Sequence, residues 1–146
     1  WNNPANSGAN AWKSDLDNTY ENSSYQVLFS PEIDLTGVTS GAALLEWAMK
    51  FQLEPAQFDY AFVEIQEIGG AGRTRKLWEW LGADMVANIG NPVITLQEAA
   101  GWGRYRALVN DFFGKRIRLR FHLQTDTTVQ RAGLAIDDVS VTAFER

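Results

Sequence analysis

The stretch Leu45-Glu46-Trp47-Ala48-Met49-Lys50-Phe51-Gln52-Leu53 decides the fold class. Its odd-numbered side chains are all apolar, whereas Glu46, Lys50 and Gln52 fall on the opposite face. Successive side chains of a β-strand point to opposite faces, so this alternation predicts a strand with one buried face. Such strands are typical of antiparallel sheets, in which one face covers the core and the other meets solvent.

Three more stretches indicate strands, namely residues 60–66, 116–123 and 133–141. Because Gly, Pro, Asn and Asp turns separate these apolar runs, the sequence predicts an all-β, antiparallel β-sandwich. Residues 75–81 and 95–100 could each form a short helical turn, and Gly82, Gly90 and Pro92 predict a long loop over 82–101.

The last predicted strand changes its phase of alternation. Leu134 and Ile136 share one parity, whereas Val139 and Val141 share the other. A one-residue slip turns every later side chain to the opposite face, so a continuous strand would expose one of these pairs. A β-bulge at Asp137-Asp138 would bring both pairs to the same face, and we predict one there.

The composition sets limits on function. The chain has 146 residues with a net charge of −5, and 45% of the residues are hydrophobic. We expect one domain over residues 1–146, with an extended arm over about 1–11 that is rich in Asn, Gly and Ala. The negative charge argues against a general nucleic-acid binder, and no run approaches the roughly 20 apolar residues that span a bilayer. Since the chain begins at Trp1 without Met, we expect a fragment of a longer precursor.

The residue inventory also argues against an enzyme. The chain contains no cysteine, and His122 is its only histidine, so thiol nucleophiles and His-based or Cys-based zinc sites are excluded. Paired carboxylates do not converge either, because alternation places Asp59 and Glu64 on opposite faces of one strand. We therefore expect no catalytic centre.

Four motifs occur in an order that resembles a known family. They are Ser30-Pro31-Glu32-Ile33-Asp34-Leu35-Thr36-Gly37, Phe58-Asp59-Tyr60-Ala61-Phe62-Val63-Glu64-Ile65, Gly114-Lys115-Arg116-Ile117-Arg118-Leu119-Arg120-Phe121 and Gly133-Leu134-Ala135-Ile136-Asp137-Asp138-Val139-Ser140-Val141. Together they resemble the MAM-like jelly-roll domains that lie beside the catalytic unit of bacterial immune-inhibitor-A-type metalloproteases and in related surface proteins. The resemblance implies a jelly-roll sandwich in a secreted or cell-surface bacterial protein, with neighbouring domains of the parent chain as partners and often a structural calcium ion.

The first candidate site is a calcium site at Asp137 and Asp138. Calcium prefers several hard oxygen ligands at irregular backbone, and a bulged Asp pair supplies carboxylates and carbonyls. Asp15 and Asp17 could join the pair where the first and last strands meet. The alternative is a solvated pair of carboxylates, or one that accepts N–H bonds at a strand kink.

The second candidate site is a sugar-binding platform. Trp78 and Trp80 share parity if their segment is extended, and Tyr105 is a third aromatic candidate. Exposed aromatic rings can stack on sugars, so a carbohydrate-binding module is the alternative function. The competing interpretation is that these rings belong to the core, as we expect for Trp47.

A third pattern concerns charged residues on the strands. We predict a structural ion pair between Asp59 and Arg120, which occupy acidic and basic positions of the resembled motifs. Arg116, Arg118, Arg120 and His122 form a stripe that could meet an anionic glycan or an acidic protein, or could pair with glutamates across strands. The sequence as a whole predicts an accessory or interaction domain without catalysis, with a protein or glycan as a further partner.

Overall fold

The protein is described from a computed structural model, in which residues 5, 7–15, 19–81 and 102–144 are described. These residues form nine β-strands, which confirms the predicted all-β class. None of the helical structure in these ranges is long and apolar enough to cross a membrane. The extent of the domain over residues 1–146 stays a prediction.

The strands in chain order are β1 (Trp12–Lys13), β2 (Tyr25–Phe29), β3 (Ile33–Asp34), β4 (Ala42–Gln52), β5 (Tyr60–Glu67), β6 (Thr74–Glu79), β7 (Gly103–Leu108), β8 (Arg116–Gln124) and β9 (Gly133–Phe144). A 3₁₀ helix at Asn110–Phe112 lies between β7 and β8. The four longest strands, β4, β5, β8 and β9, correspond to the four stretches in which the sequence predicts strands.

The strands form two sheets that pack face to face. One sheet has the order β1-β9-β4-β7, and the other has the order β2-β8-β5-β6, with β3 also pairing with β8. Every pairing is antiparallel. Because the chain passes repeatedly between the sheets and strands distant in sequence become neighbours, the arrangement is a jelly roll. The predicted jelly-roll sandwich is confirmed.

The core lies between the sheets and is built from the alternating faces of the long strands. Leu45, Trp47, Met49 and Phe51 of β4 are almost completely buried, as their alternation predicts. They meet side chains of the facing sheet, and Phe51 packs against both Trp78 and Trp80, at ring-centroid distances of 5.2 and 5.3 Å. Burial of such large side chains contributes about 1.5–3 kcal/mol each to folding, which makes this interface the main source of stability.

The predicted β-bulge in β9 is present. Ser140 pairs with Glu46 and Asp137 pairs with Ala48, so Asp138 and Val139 together lie opposite Trp47. Asp138 has a φ of 49°, the left-handed region that Asp and Asn enter more readily than most residues. The extra residue restores the phase, so Val139 and Val141 face the same side as Ile136.

Two strands that the sequence does not predict, β6 and β7, flank the region expected to be a loop. The segment 75–81, where a helical turn is one expectation, belongs instead mostly to β6, and β7 was not foreseen. The register between β5 and β6 shifts between Val63 and Glu64 of β5. This leaves Leu77 as an extra residue in β6, which breaks the alternation of β6. The other helical candidate, 95–100, and the predicted loop over 82–101 lie outside the described residues.

Candidate cation site at one end of the sandwich

Three carboxylates meet where the chain passes from one sheet to the other. Glu54 follows the end of β4, Asp59 directly precedes β5, and Asp126 follows the end of β8. Since Tyr60 at the start of β5 pairs with Gln124 at the end of β8, Asp59 and Asp126 lie at the same end of the sandwich. The short turn from β4 to β5 brings Glu54 to the same place. One oxygen atom from each carboxylate lies within 4.8 Å of the other two. We call these three residues the carboxylate cluster.

Asp59 is the fixed centre of the carboxylate cluster. Its side chain is 0% exposed, and it accepts hydrogen bonds from the Tyr20 hydroxyl, the Glu54 N–H at 3.2 Å and the Asp126 N–H at 3.2 Å. These three donors belong to separate parts of the chain. Burial is the largest of the causes that raise the pKa of Tyr20, and the carboxylate of Asp59 adds to it, so this hydroxyl stays a hydrogen-bond donor.

The backbone of the turn is held on both sides. The Pro55 carbonyl accepts the N–H groups of Phe58 at 2.9 Å and Asp59 at 3.3 Å, which closes the turn between β4 and β5. The Glu54 carbonyl accepts the indole N–H of Trp80 at 2.7 Å. The turn therefore presents the Glu54 side chain from a backbone that is anchored to the core.

The Glu54 side chain shows the feature that distinguishes this cluster from an ordinary acidic surface. Glu54 is only 8% exposed, and its Oε2 atom has no hydrogen-bond partner among the described residues. Burial raises the pKa of its carboxyl, and the charges of Asp126 and Asp59 raise it further, whereas Arg131 acts in the opposite direction. A buried carboxylate oxygen without a hydrogen-bond partner destabilises the folded state, because it has lost its hydration and no protein donor replaces the lost hydrogen bonds.

Asp126 completes the cluster from a loop that is more exposed. Its Oδ1 atom accepts the N–H of Thr128 at 2.8 Å and the Thr128 hydroxyl at 2.9 Å, so the side chain is oriented by its own turn. The cluster brings together three carboxylates, and the guanidinium of Arg131 acts on Glu54 against the charges of the other two. This set of hard oxygen donors, with one oxygen unpaired, fits the requirements of a divalent cation such as calcium.

The Asp137-Asp138 pair lies elsewhere, at the bulge of β9. Asp137 Oδ2 accepts the N–H of Ser7 at 3.1 Å, and Asp138 Oδ1 accepts the Ser7 hydroxyl. Lys13 pairs with Ala135, and the Ser14 N–H binds the Leu134 carbonyl. Because the two strands are antiparallel, each step from Lys13 towards Asp15 takes the chain further from Asp137 and Asp138. The structure therefore does not bring Asp15 to these residues, and Asp17 lies outside the described residues. An ion at the Asp pair itself stays a prediction.

The predicted aromatic platform is wrong. Trp78 and Trp80 are 1% exposed and Tyr105 is 0% exposed, so none of these rings can stack on a sugar at the surface. Their strands turn them inward: Tyr105 lies 5.3 Å from the Trp47 ring in a stacked arrangement, and both tryptophans contact Phe51. Large aromatic side chains gain most of their stabilisation by burial, and the core interpretation was the correct one for all three.

The predicted ion pair between Asp59 and Arg120 is also wrong. Arg120 lies on the outer face of β8, where its guanidinium binds Glu64 at 3.1 Å and the Tyr25 hydroxyl at 3.0 Å. Asp59 is buried beyond the end of β8, where it accepts hydrogen bonds from Tyr20, Glu54 and Asp126. Within the stripe on β8, Arg120 makes the cross-strand contact with a glutamate that the alternative interpretation expects. Arg118 binds Gln66 at 3.1 Å, and Arg116 binds Glu32, just before β3, at 2.9 Å.

The carboxylate cluster was missed because its members are far apart in sequence. Glu54 and Asp59 flank one turn, but Asp126 joins them only through the pairing of β5 with β8. One signal was available: each of the three stands within three residues of the end of a predicted apolar strand. In an antiparallel pair, the start of one strand and the end of its partner meet, so this placement favours convergence.

Comparison with known proteins agrees with this architecture. A search of curated proteins finds no match to the chain. The family model described as "Immune inhibitor A-like, MAM domain" matches residues 4–144, which is nearly the whole chain. The matched region contains the four motifs, both sheets and all three members of the carboxylate cluster. The chain belongs to the immune inhibitor A-like MAM domain family.

Proposed function

We propose that this chain is a non-catalytic accessory domain of a secreted or cell-surface bacterial protein, stabilised by a calcium ion at Glu54, Asp59 and Asp126. Membership of the MAM domain family supports a role beside other domains of a parent chain. The observation that carries the calcium assignment is the buried, unpaired Oε2 atom of Glu54, which faces two further carboxylates.

The non-catalytic role is supported by how the ionisable groups are held. Both oxygens of Asp59 accept hydrogen bonds from fixed donors, which leaves its carboxylate little freedom to act as a base. The only histidine, His122, packs between rings, 4.5 Å from the ring centroid of Phe62 and 4.7 Å from that of Tyr25. Burial lowers the pKa of His122, and the charge of Arg120 adds to this effect, so the ring is neutral at physiological pH.

The bound ion has a structural part to play. It would supply the positive charge that the carboxylate cluster lacks and a partner for Glu54 Oε2. The residues that would hold it come from the turn between β4 and β5 and from the end of β8, so binding would link both sheets at one end of the sandwich. The Tyr20 hydroxyl would continue to orient Asp59, while Thr128 orients Asp126.

Thermal unfolding in EGTA and in calcium tests this proposal. A ligand that binds only the folded state stabilises it by about 2.7 kcal/mol at a hundredfold excess over its Kd, so the melting temperature should rise on calcium addition. Terbium luminescence excited through tryptophan gives a direct readout of binding, because Trp80 donates to the Glu54 carbonyl.

Glu54→Gln and Asp137→Asn form the matched pair of variants. Glu54→Gln removes a charge that is repelled by Asp126 and Asp59, so this variant should melt higher than the parent in EGTA and respond little to calcium. Asp137→Asn should keep the full response. An unchanged melting temperature without terbium luminescence would contradict the ion, and substrate turnover by the chain would contradict the accessory role.

A further inference from the structure

A groove opens along one side of the sandwich, away from the carboxylate cluster. Its volume is about 540 Å³, and it lies between β9 with β1 of one sheet and β2 with β3 of the other. Its floor is apolar and consists of side chains that face the interior: Trp12, Leu28, Ile33, Phe121, Ile136, Val139 and Val141. We call this feature the side groove.

The bulge in β9 is what gives the side groove its apolar wall. Because Asp138 restores the phase of alternation, Val139 and Val141 point between the sheets. Yet Val139 is 38% exposed, although its neighbours on the same face of β9 before the bulge, Leu134 and Ile136, are buried. The two sheets are therefore not closed over each other at this point, and apolar surface remains accessible.

Beyond β1, the edge of β9 beside the side groove has no ladder partner in the described part of the chain, although Ser7 binds the side chains of Asp137 and Asp138. On that side, β1 pairs only with Ala135 and Ile136. Among the residues that the structure describes, no strand pairs with the same side of β9 from Asp137 to Phe144. Every second residue of an antiparallel strand directs its N–H and C=O groups to one side, so this edge can accept a further strand.

The charges at the side groove are of one sign. The charged residues that line it are Glu32, Asp137 and Asp138. Glu32 is paired with Arg116 at 2.9 Å, whereas both aspartates contact the neutral Ser7, so the negative charge centres on the two aspartates. Such a surface favours a cationic ligand. A second copy of this chain would bring the same two aspartates to a self-complementary contact, which like-charge repulsion disfavours. Residues 1–6 of this chain contain no basic side chain.

We propose that the side groove binds an extended peptide segment of a partner protein, as an added strand on the edge of β9. Apolar side chains of the segment would pack on the floor, and a lysine or arginine beside them would meet Asp137 and Asp138. Main-chain hydrogen bonds supply affinity in this mode of recognition, and the side-chain pockets supply selectivity. The inference deepens the accessory role proposed above by naming the kind of partner.

Titration of the ¹⁵N-labelled chain with hexapeptides, followed by NMR, tests this inference. The probes alternate threonine with valine, leucine or tryptophan and carry a lysine at each end; matched probes carry glutamate instead, or N-methyl groups on one backbone edge. We expect amide shifts confined to β9 beyond the bulge and to the residues around Leu28. Binding should weaken about tenfold for the glutamate probes, less so at high salt, and be lost for the N-methylated probes.

Val139→Lys and Val129→Lys form the matched variants, since both valines are exposed and only Val139 lines the side groove. Val139→Lys should weaken peptide binding at least about tenfold, and Val129→Lys should leave it unchanged, with both spectra remaining folded. The inference is overturned if no lysine probe produces localised shifts, if Val139→Lys has no effect, or if the N-methylated probes bind equally well.

Three further outcomes would also overturn the peptide assignment. Self-association of the chain through β9, seen as concentration-dependent sedimentation, would make a second copy the occupant. Peptide binding that appears only after deletion of residues 1–6 would make that segment the occupant. Sugar-induced shifts at the same residues, without any from peptides, would assign a glycan. Calcium binding is measured at the carboxylate cluster, which shares no residue with the side groove, so failure of the peptide test leaves that proposal intact and the two are distinguishable.

Discussion

The carboxylate cluster and the Asp137-Asp138 pair are both acidic, but their side chains lie in different environments. In the cluster, Glu54 and Asp59 are buried, and one carboxylate oxygen has no partner among the described residues. At the bulge, both aspartates accept hydrogen bonds from Ser7 at the surface. Adjacent acids are visible in a sequence, whereas desolvation and an unmet hydrogen bond are properties of the fold. The difference shows that these two properties, more than the number of carboxylates, distinguish the carboxylate cluster from an acidic pair at the surface.

Removal of one carboxylate from each region gives the largest expected contrast. Asp59→Ala removes the acceptor of three donors, and two of these three hydrogen bonds are buried. We expect it to lower the free energy of unfolding by about 3–5 kcal/mol. Asp137→Ala removes an acceptor at the surface and should cost less than about 1 kcal/mol. Urea unfolding in EGTA measures both without a contribution from a bound ion. Equal losses would remove the distinction between the two regions.

Trp80 and Trp78 offer a closer comparison within the core. Both are 1% exposed and both contact Phe51, but the Trp80 indole donates to the Glu54 carbonyl, whereas the Trp78 indole has no partner in the described part of the chain. Trp80→Phe should therefore lower the free energy of unfolding by about 2 kcal/mol more than Trp78→Phe does, because only Trp80→Phe leaves a buried carbonyl, that of Glu54, without its hydrogen-bond donor. Urea unfolding of the two variants gives this difference directly. A larger loss for Trp78→Phe would mean that packing outweighs the anchoring of the turn.

The bulge can be tested through the backbone conformation of Asp138. Asp138→Val should destabilise the domain by about 1 kcal/mol relative to Asp138→Asn, because a β-branched residue is disfavoured at a φ of 49°. The asparagine variant keeps both the tolerance of that conformation and an oxygen that accepts the Ser7 hydroxyl. Differential scanning calorimetry of both variants measures this difference in stability. If valine were tolerated as well as asparagine, the left-handed residue would not be what holds the bulge.

The smallest expected effect is the pH dependence of stability that comes from His122, a buried polar residue outside both acidic regions. Since its pKa is lowered in the folded protein, the unfolded chain takes up the proton first as the pH falls below about 6.5. The stability that neutral His122 contributes is therefore complete above that pH and is lost on acidification. We expect a decrease of about 1–2 °C in melting temperature between about pH 7.5 and 5.5 that is absent from His122→Phe. Identical pH dependence in both proteins would contradict this assignment.

Much of the fold was predictable because period-two alternation is a local property. It identified β4, β5, β8 and β9, and the conflict of parity around Asp137-Asp138 located the bulge. Alternation failed for β6, where Leu77 is an extra residue next to Trp78. It was also too weak in β7, where Tyr105 is the only fully buried side chain and lies between two arginines.

The sites were less predictable because they depend on contacts between distant parts of the chain. The parity that grouped Trp78 with Trp80 was right, but parity alone does not say which face meets the other sheet, and both rings point inward. Asp59 was paired with Arg120 on the strength of motif positions, although the register places Glu64 opposite that arginine. For the carboxylate cluster, the sequence placed each acid at a strand end, but only the pairing of β5 with β8 unites them.

The bulge also determines how β9 would tolerate changes in length. Asp138 is the one residue of the strand that the ladder with β4 does not need, because Val139 can lie opposite Trp47 without it. Deletion of Asp138 would straighten the strand and leave each later side chain on its present face. Deletion of any single residue between Ser140 and Thr142 would instead invert the rest of the strand. Length variation within this strand should therefore be confined to a single position.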